Sequence, residues 1–128
     1  MIIIDTDIAV DVLRNFSAAL AWANALPPQE IVVISGYTAL ELFAGCQNTA
    51  QQRSVDAMVK RFEAKWPTAA ARDLALQAFR TLHLSNAIGT FDVLIAHTAI
   101  ELGLPLHTFN VKHFQHVPGL TTIQPYTR

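Results

Sequence analysis

The sequence has little cysteine, little charge and no long apolar run. Its 128 residues contain a single cysteine, Cys46, which excludes an intramolecular disulfide and fits a reducing cytoplasm. No stretch approaches the roughly 20 consecutive apolar residues that a membrane-spanning helix needs. The first apolar run is broken at Asp5 and no basic segment precedes it. We therefore expect no signal peptide, no contact with a membrane and a cytoplasmic location.

The apolar content is nevertheless high, with 52% hydrophobic residues, a mean hydropathy of +0.29 and only 15% charged residues. A chain of this length can build one core but not two, so we predict a single domain over residues 1–128. The surplus of apolar surface favours burial between subunits or in a complex, and we expect a dimer.

The net charge of −1 argues against indiscriminate binding of nucleic acid, but the charges are unevenly distributed along the chain. Residues 1–52 carry five acidic side chains and one arginine, whereas residues 53–80 carry six basic and three acidic side chains. An acidic beginning beside a basic middle fits a cation site next to a surface that guides phosphates. Solvated helix faces explain the basic residues equally well.

Continuous β-branched runs predict buried strands at residues 2–5 and 30–35, with extended segments in LPLHTFN and LTTIQPY. Helical periodicity and capping residues predict helices between them. These helices are AVDVLRN, FSAALAWANAL, YTALELFAG, residues 48–66, AAARDLALQAFRTLHL after Thr68 and FDVLIAHTAIELG from Thr90. The segment VKHFQHVPGL is predicted to form a loop or a short helical turn. Strands that alternate with helices predict a layered α/β fold with a mainly parallel sheet.

Two polar residues follow predicted strands, where open α/β sheets bind their ligands. Asp5 ends the first apolar run, and Asn110 ends the extended segment LPLHTFN. Thr6 or Asp7 is the natural cap of the helix that follows. Capping therefore does not account for Asp5, and a ligand role for this carboxylate stays open.

Glu41 and Asp92 each have a structural and a functional interpretation. Glu41 stands at capping-box spacing from Thr38, although its apolar neighbours favour an inward orientation. Asp92 falls in the first helical turn, where the helix dipole favours a carboxylate. It heads a face of small residues, and no lysine or arginine lies between Arg80 and Lys112. An acid held inside the protein without a basic neighbour points to a distant cation or to a metal ion.

Four segments in order along the chain resemble the PIN-domain ribonucleases, in particular the VapC-type toxins of toxin–antitoxin pairs. They are IIIDTD, TALELFAG, IGTFDVLIAHTAIELGLPLHTFN and HFQHVPGL, and the match runs from Ile2 to about Gln124. The resemblance implies a three-layer α/β/α fold with a small, mainly parallel sheet of about four to five strands. It also implies an endoribonuclease that uses one or two Mg²⁺ or Mn²⁺ ions, has a small antitoxin as its partner and forms a homodimer.

The same resemblance assigns roles to individual residues. The family's catalytic positions fall on Asp5, Glu41, Asp92 and Asn110, of which the three acids would hold metal ions that activate water to attack an RNA phosphodiester. Thr6, Asp7 and Thr108 would support this site, with Asp7 as a helix cap or an outer contact. Arg53, Lys60, Arg61 and Lys65 would contact RNA or the antitoxin.

One histidine and two aromatic residues lie outside these assigned roles. His113 stands where the family usually has an aspartate after the fourth position. Phe62 and Trp66 continue the apolar spacing of residues 48–66, and we expect them in the core or an interface rather than as stacking platforms for bases.

Two alternatives stay open at this point. The opening IIIDTDIAV also resembles the first motif of haloacid dehalogenase-type phosphatases, with Asp5 as the nucleophile. Ala9 stands where that motif has threonine or valine, no late acidic pair is present, and Lys112 is the only lysine after Lys65. The other alternative is a PIN-like domain that has kept its fold for interaction and does not catalyse.

Overall fold

The computed structural model describes residues 1–128 and contains one sheet of five short strands. The strands are β1 (Ile2–Ile4), β2 (Val32–Ser35), β3 (Glu63–Lys65), β4 (Leu106–His107) and β5 (Thr122–Ile123). Their order across the sheet is β3-β2-β1-β4-β5, and every neighbouring pair is parallel. The sequence-based prediction of a small parallel sheet in an α/β fold is thereby confirmed.

Seven helices connect and cover the strands. They are α1 (Thr6–Leu13), α2 (Ser17–Ala25), α3 (Gly36–Ala44), α4 (Thr49–Arg61), α5 (Ala69–Leu82), α6 (Thr90–Leu102) and α7 (Val111–Phe114). The predicted cap of α5 is confirmed, since the hydroxyl of Thr68 accepts a hydrogen bond from the N–H of Ala71 at 3.3 Å. Helix α6 ends at Gly103, whose positive φ of 70° suits a residue without a side chain. None of the seven helices combines the length and the apolar character needed to cross a membrane.

Two apolar clusters lie on opposite faces of the sheet because successive side chains of a strand point in opposite directions. Ile3 of β1 packs with buried residues of α5 and α6, such as Ala75 and Ile95. The next residue, Ile4, packs instead with residues of α1 and α3, such as Ile8 and Leu42. Helices therefore cover both faces, which gives the three layers that the family resemblance implied.

The predicted helix over residues 48–66 is wrong at its carboxyl end. Helix α4 stops at Arg61, and the chain becomes extended at Phe62 before it forms β3 beside β2. Phe62 is buried, as expected, whereas Trp66 lies outside any helix and is 57% exposed. The segment Glu63–Lys65 has no β-branched residue, so its strand conformation comes from hydrogen bonding to the edge of β2 and not from local preference.

The parallel arrangement places the carboxyl ends of all five strands at one edge of the sheet. Asp5 follows β1, Gly36 follows β2, Trp66 follows β3 and Thr108 follows β4. Because β1 is the central strand, Asp5 lies in the middle of this edge. The candidate site is built there.

Candidate functional site

Asp5 is the buried centre of the edge, and it joins β1 to α1. Its N–H donates to the carbonyl of His107 at 2.9 Å, which continues the sheet pairing of β1 with β4. Its carboxylate is the N-cap of α1, with Oδ1 accepting from the N–H of Thr6 at 2.7 Å. Oδ2 accepts from the hydroxyl of Thr108 at 2.8 Å, and the residue is only 4% exposed. The expectation that Thr6 or Asp7 caps this helix is wrong, because the helix begins at Thr6, directly after Asp5.

Asp7 lies inside the first turn of α1 and links this helix to the segment after β4. Its Oδ1 accepts from the N–H of Ile8 at 2.8 Å. Its Oδ2 accepts from the N–H of Phe109 at 2.9 Å and lies 3.3 Å from the hydroxyl of Thr108. Asp7 is therefore a bridge between two elements and not the cap that one interpretation of the sequence proposed.

Glu41 reaches the site from α3 and is held by Thr6. The hydroxyl of Thr6 donates to Oε1 of Glu41 at 2.7 Å and lies 3.2 Å from the hydroxyl of the buried Thr38. The capping-box interpretation of Glu41 is wrong, because α3 begins at Gly36 and its cap is Ser35, whose Oγ accepts from the N–H of Tyr37. Glu41 therefore lies within the helix and is free to face the sheet edge.

Asp92 comes from the first turn of α6, as predicted from its position in the sequence. Its Oδ2 accepts from the N–H of Gly89 at 3.1 Å and so closes the start of the helix. Its Oδ1 makes no hydrogen bond within the protein. Asp92 thus has a structural role and still presents a carboxylate oxygen to the site.

These side chains line one open cavity of about 380 Å³. Its lining residues are Asp5, Thr6, Asp7, Glu41, Asp92, Phe109, Asn110 and Arg128. All four residues predicted as catalytic are among them, and the supporting Thr108 lies behind the wall, fully buried. No three acidic, histidine or cysteine side chains converge into a complete metal-ligand cluster. The carboxylates therefore line the same cavity, but they are not close enough to one another to form a complete set of metal ligands.

The cavity holds negative charge that the protein itself does not neutralise fully. Burial, reinforced by the charge of Asp7, raises the pKa of Asp5 from 3.8 to about 7, although hydrogen bonds from Thr108 and Thr6 oppose this rise. Burial also raises the pKa of Asp7, against the hydrogen bonds from Phe109 and Ile8. A cation in the cavity would favour the charged form of both acids. Carboxylate and amide oxygens are the ligands that Mg²⁺ and Mn²⁺ prefer, so the residues present fit such an ion.

One basic side chain lines the cavity, and reasoning from the sequence missed it. The guanidinium of Arg128 lies 4.2 Å from the ring centroid of Phe109, and its Nε donates to Oδ2 of Asp11 at 3.0 Å. The same Asp11 oxygen accepts from the hydroxyl of Tyr126 at 2.7 Å. Burial and this bond raise the pKa of Tyr126. No local motif marks Arg128, since only the fold brings this residue to the edge.

The four basic residues predicted to contact RNA or a partner lie elsewhere. They are Arg53, Lys60, Arg61 and Lys65, and none of them lines the acidic cavity. The first three are exposed on α4, while Lys65 forms an ion pair with Glu63 at 3.2 Å on β3. Their contact with RNA or with a protein partner stays a prediction.

Comparison with known proteins agrees with this geometry. The family model described as the PIN domain matches residues 2–120. Ribonuclease VapC10 of Mycobacterium tuberculosis is 33% identical over 117 residues, which span 89% of this chain and 86% of the relative. Ribonuclease VapC19 of the same organism is 34% identical over 127 residues, spanning 94% and 97% of the two chains. A toxin–antitoxin complex from Klebsiella pneumoniae contains a chain that matches with a TM-score of 0.78 at 23% identity and full coverage of both chains.

Proposed function

This chain belongs to the PIN-domain family, and from that premise we propose that it is a divalent-metal-dependent endoribonuclease and the toxin of a toxin–antitoxin pair. The observation that carries the proposal is the cavity at the centre of the sheet edge, which gathers Asp5, Glu41, Asp92 and Asn110. Burying Asp5 beside Asp7 disfavours the charge of both carboxylates, and a bound cation would offset this cost. A domain kept only for interaction would gain nothing from this arrangement. The names of the two mycobacterial relatives support RNA as the substrate. The phosphatase alternative finds no support, because the match to the PIN family covers residues 2–120.

Asp5, Glu41 and Asp92 would hold one or two divalent ions, and the all-oxygen donor set suits Mg²⁺ or Mn²⁺. When bound, such an ion supplies a Lewis acid that promotes the ionisation of water and offsets the negative charge that develops on the phosphodiester.

The neighbouring hydroxyl groups fix the orientation of the carboxylates. Thr108 donates to Oδ2 of Asp5 at 2.8 Å, and Thr6 donates to Oε1 of Glu41 at 2.7 Å. Hydrogen bonds of this kind orient metal ligands and commonly change metal affinity by about 10–100-fold when they are removed. The amide of Asn110 lines the same cavity and can orient water or a phosphate oxygen by hydrogen bonding.

Arg128 supplies the positive charge that RNA would meet at this cavity. Its Nε is bonded to Asp11, while the other guanidinium nitrogens make no hydrogen bond within the protein and can donate to a phosphate. Because the side chain lies over the ring of Phe109, the guanidinium is already positioned before RNA arrives. A fixed cation beside the carboxylates reduces their repulsion of the RNA backbone.

The protein partner in this proposal is a small antitoxin, as in the solved complex from Klebsiella pneumoniae. Arg53, Lys60, Arg61 and Lys65 would contact that partner or the RNA. The exposed leucines of α5, Leu74 at 52% and Leu76 at 60%, supply apolar surface for a homodimer. Toxin and antitoxin would act in the cytoplasm.

The test replaces one carboxylate at a time with the matching amide. We expect Asp5→Asn and Asp92→Asn to lower Mn²⁺-dependent RNA cleavage by on the order of 100-fold or more, because each change removes a charged oxygen donor from the cavity. Cleavage is measured on total RNA by gel electrophoresis, with thermal unfolding to show that the variants are folded. Asp73→Asn, at an exposed position of α5, is the matched control and keeps full activity. Undiminished cleavage by both cavity variants would overturn the proposal, and an acid-labile phosphate on Asp5 would favour a phosphatase.

A further inference from the structure

Trp66 lies at the same sheet edge as the acidic cavity. It follows β3, as Asp5 follows β1, and only β2 separates the two strands. Two strand spacings amount to about 10 Å, so the tryptophan flanks the cavity. With 57% of its surface exposed, Trp66 is available to a ligand and does not lie in the core, which was one of the two positions expected from the sequence; the other, an interface, stays a prediction.

The indole of Trp66 is held in place from behind. It packs against Gly36 at the start of α3 so closely that a Cβ atom at this glycine would overlap the ring. The indole also meets the ring of Tyr37 edge-on, with centroids 5.2 Å apart and planes at 73°. Tyr37 in turn packs against Phe91 at 5.6 Å. A large aromatic surface is therefore fixed before binding, and little side-chain entropy is left to lose.

Two members of the aromatic cluster of Trp66, Tyr37 and Phe91 lie on helices that carry acids of the cavity, Tyr37 on α3 and Phe91 on α6. Phe91 directly precedes Asp92, and Tyr37 directly precedes Thr38, whose hydroxyl contacts that of Thr6. Helices α3 and α6, which carry Glu41 and Asp92, thus also carry the aromatic rings that support the indole. A strand of RNA lying along this edge would meet both features.

Basic side chains accompany the exposed indole. Lys65, which is paired with Glu63 at 3.2 Å, directly precedes Trp66 in the chain. The guanidinium of Arg72 donates to the carbonyl of Pro67, the residue after Trp66, at 3.1 Å. Aromatic rings beside basic side chains are typical of surfaces that bind single-stranded nucleic acid, where the rings stack on bases and the cations attract phosphates. Charged neighbours suit a base with its phosphate better than they suit an apolar peptide side chain.

From these observations we propose that Trp66, supported by Tyr37 and Phe91, stacks on an unpaired base of the RNA that the cavity cleaves. The inference rests on the proposed ribonuclease function and adds a base-binding subsite to it. Stacking tolerates every base, so the site contributes affinity and favours unpaired RNA over a duplex.

Affinity for short oligonucleotides tests the proposal directly. The probes are 2′-O-methylated oligo(A) and oligo(U), which lack the free 2′-hydroxyl, used with EDTA present, and an abasic oligonucleotide with the same number of phosphates. We expect Trp66→Ala to weaken binding of the two base-bearing probes by about 5- to 150-fold, and Trp66→Phe to weaken it less. Gly36→Ala keeps the indole but displaces it, so its affinity also falls. Leu84→Ala, which removes an exposed apolar side chain after the end of α5, is the control and leaves affinity unchanged.

Fluorescence provides a second measurement that deletes nothing from the site. In Trp22→Phe, Trp66 is the only tryptophan. Stacking then predicts quenching of its emission by oligo(A) and oligo(U), and little quenching by the abasic strand. Equal quenching by all three strands, or none, would overturn the proposal.

The outcomes separate this inference from the proposed function. If Asp5→Asn abolishes Mn²⁺-dependent cleavage while Trp66→Ala binds the oligonucleotides like the wild type, the stacking site is refuted and the ribonuclease stands. If Trp66→Ala weakens binding of the antitoxin but leaves oligonucleotide binding unchanged, the surface serves a protein and the proposal is overturned. If Asp5→Asn and Asp92→Asn both cleave normally, the proposed function is lost whatever the result at Trp66.

Discussion

At the scale of single residues, Asp5 is held in an environment that disfavours its charge. The carboxylate is 4% exposed, lies near Asp7 and has no basic partner, and its pKa is therefore raised from 3.8 to about 7. Thr108 and Thr6 hydrogen-bond the charged form but compensate for burial only in part. A displacement of this size corresponds to about 4 kcal/mol of destabilisation when the acid is fully ionised.

This environment predicts how the stability of the metal-free protein depends on pH. Between pH 4 and 7 the folded state binds more protons at Asp5 than the unfolded state, so the free energy of unfolding falls as the pH rises through this window. Asp5→Asn removes this trend and makes the metal-free protein more stable at pH 8. The amide fits, because the hydroxyl of Thr108 can turn to accept from it and donate to Asp7 instead. Urea unfolding at pH 5 and pH 8 with EDTA measures both effects.

The comparison of variant with wild type isolates Asp5 from other titrating groups. Burial lowers the pKa values of His97 and His107. Their contribution to the free energy of unfolding therefore decreases as the pH falls below about 6.5, which is opposite to the trend from Asp5. Asp73→Asn serves as an exposed control and should follow the wild-type profile. A variant at Asp5 with the wild-type pH profile would show that its carboxylate is not the group responsible.

The residues of the site differ in how far the sequence alone predicted them. Asp5 and Asp92 stood out because an apolar strand or a small-residue helix face predicted that each one lies inside the protein; Asp5 is buried as predicted, whereas Asp92 is only half-buried. The roles in helix capping were wrong for Asp5 and Glu41, since a cap depends on the start of a helix to within one residue. Arg128 was missed because its place in the site depends on how the segment after β5 packs against Asp11 and Phe109 in the folded molecule.

At the scale of elements, Thr108 ties two strand–helix junctions together. Its hydroxyl donates to Asp5 at the β1–α1 junction and accepts from the N–H of Asn110 at the β4–α7 junction, at 2.8 and 2.9 Å. The side chain of Thr108 is fully buried and Asp5 is 4% exposed, so the hydrogen bond between them is shielded from water. The hydroxyl of Thr108 thus acts together with the bond from the N–H of Asp5 to the carbonyl of His107 and the bond from the N–H of Phe109 to Asp7 in fixing Asp5 relative to Asn110.

Removing this hydroxyl should therefore loosen both junctions. We expect Thr108→Val to lower the free energy of unfolding by about 1–3 kcal/mol, because it leaves a buried carboxylate oxygen of Asp5 without its partner and removes the acceptor of the Asn110 N–H. Thr108→Ser keeps the hydroxyl and loses one methyl group, at a cost of about 1 kcal/mol. Urea unfolding at pH 8 measures both variants. A larger loss for serine than for valine would show that packing, not hydrogen bonding, accounts for this position.

The elements that the sequence predicted are those with a strong local pattern. The β-branched runs of β1 and β2 and the Thr68 cap of α5 were all confirmed. Strand β3 was not predicted, because Glu63–Lys65 continues the helical spacing of α4 and becomes a strand only by pairing with β2. Local preference does not reveal a strand that is stabilised by its neighbour.

At the scale of the whole molecule, the strand order turns scattered acids into one site. Asp5, Glu41 and Asp92 are far apart in sequence, and they meet because β1 occupies the centre of a fully parallel sheet. Alternating strands and helices were enough to predict this class of fold, since parallel strands require such connections. The shared cavity, however, depends on the strand order, which no single segment encodes.

An ion that binds this cavity should stabilise the folded state relative to the unfolded state. An ion that binds only the folded chain stabilises it by about 2.7 kcal/mol at a hundred times its dissociation constant, which raises the unfolding midpoint by roughly 10 °C. We expect Mn²⁺ to produce such an increase in wild type, EDTA to reverse it, and Asp5→Asn and Glu41→Gln to reduce it. The increase should be larger at pH 8 than at pH 5, because protons compete with the ion for Asp5. Differential scanning fluorimetry measures these midpoints, with Asp56→Asn on α4 as the exposed control. Equal increases in Asp5→Asn and in that control would place the ion outside the cavity.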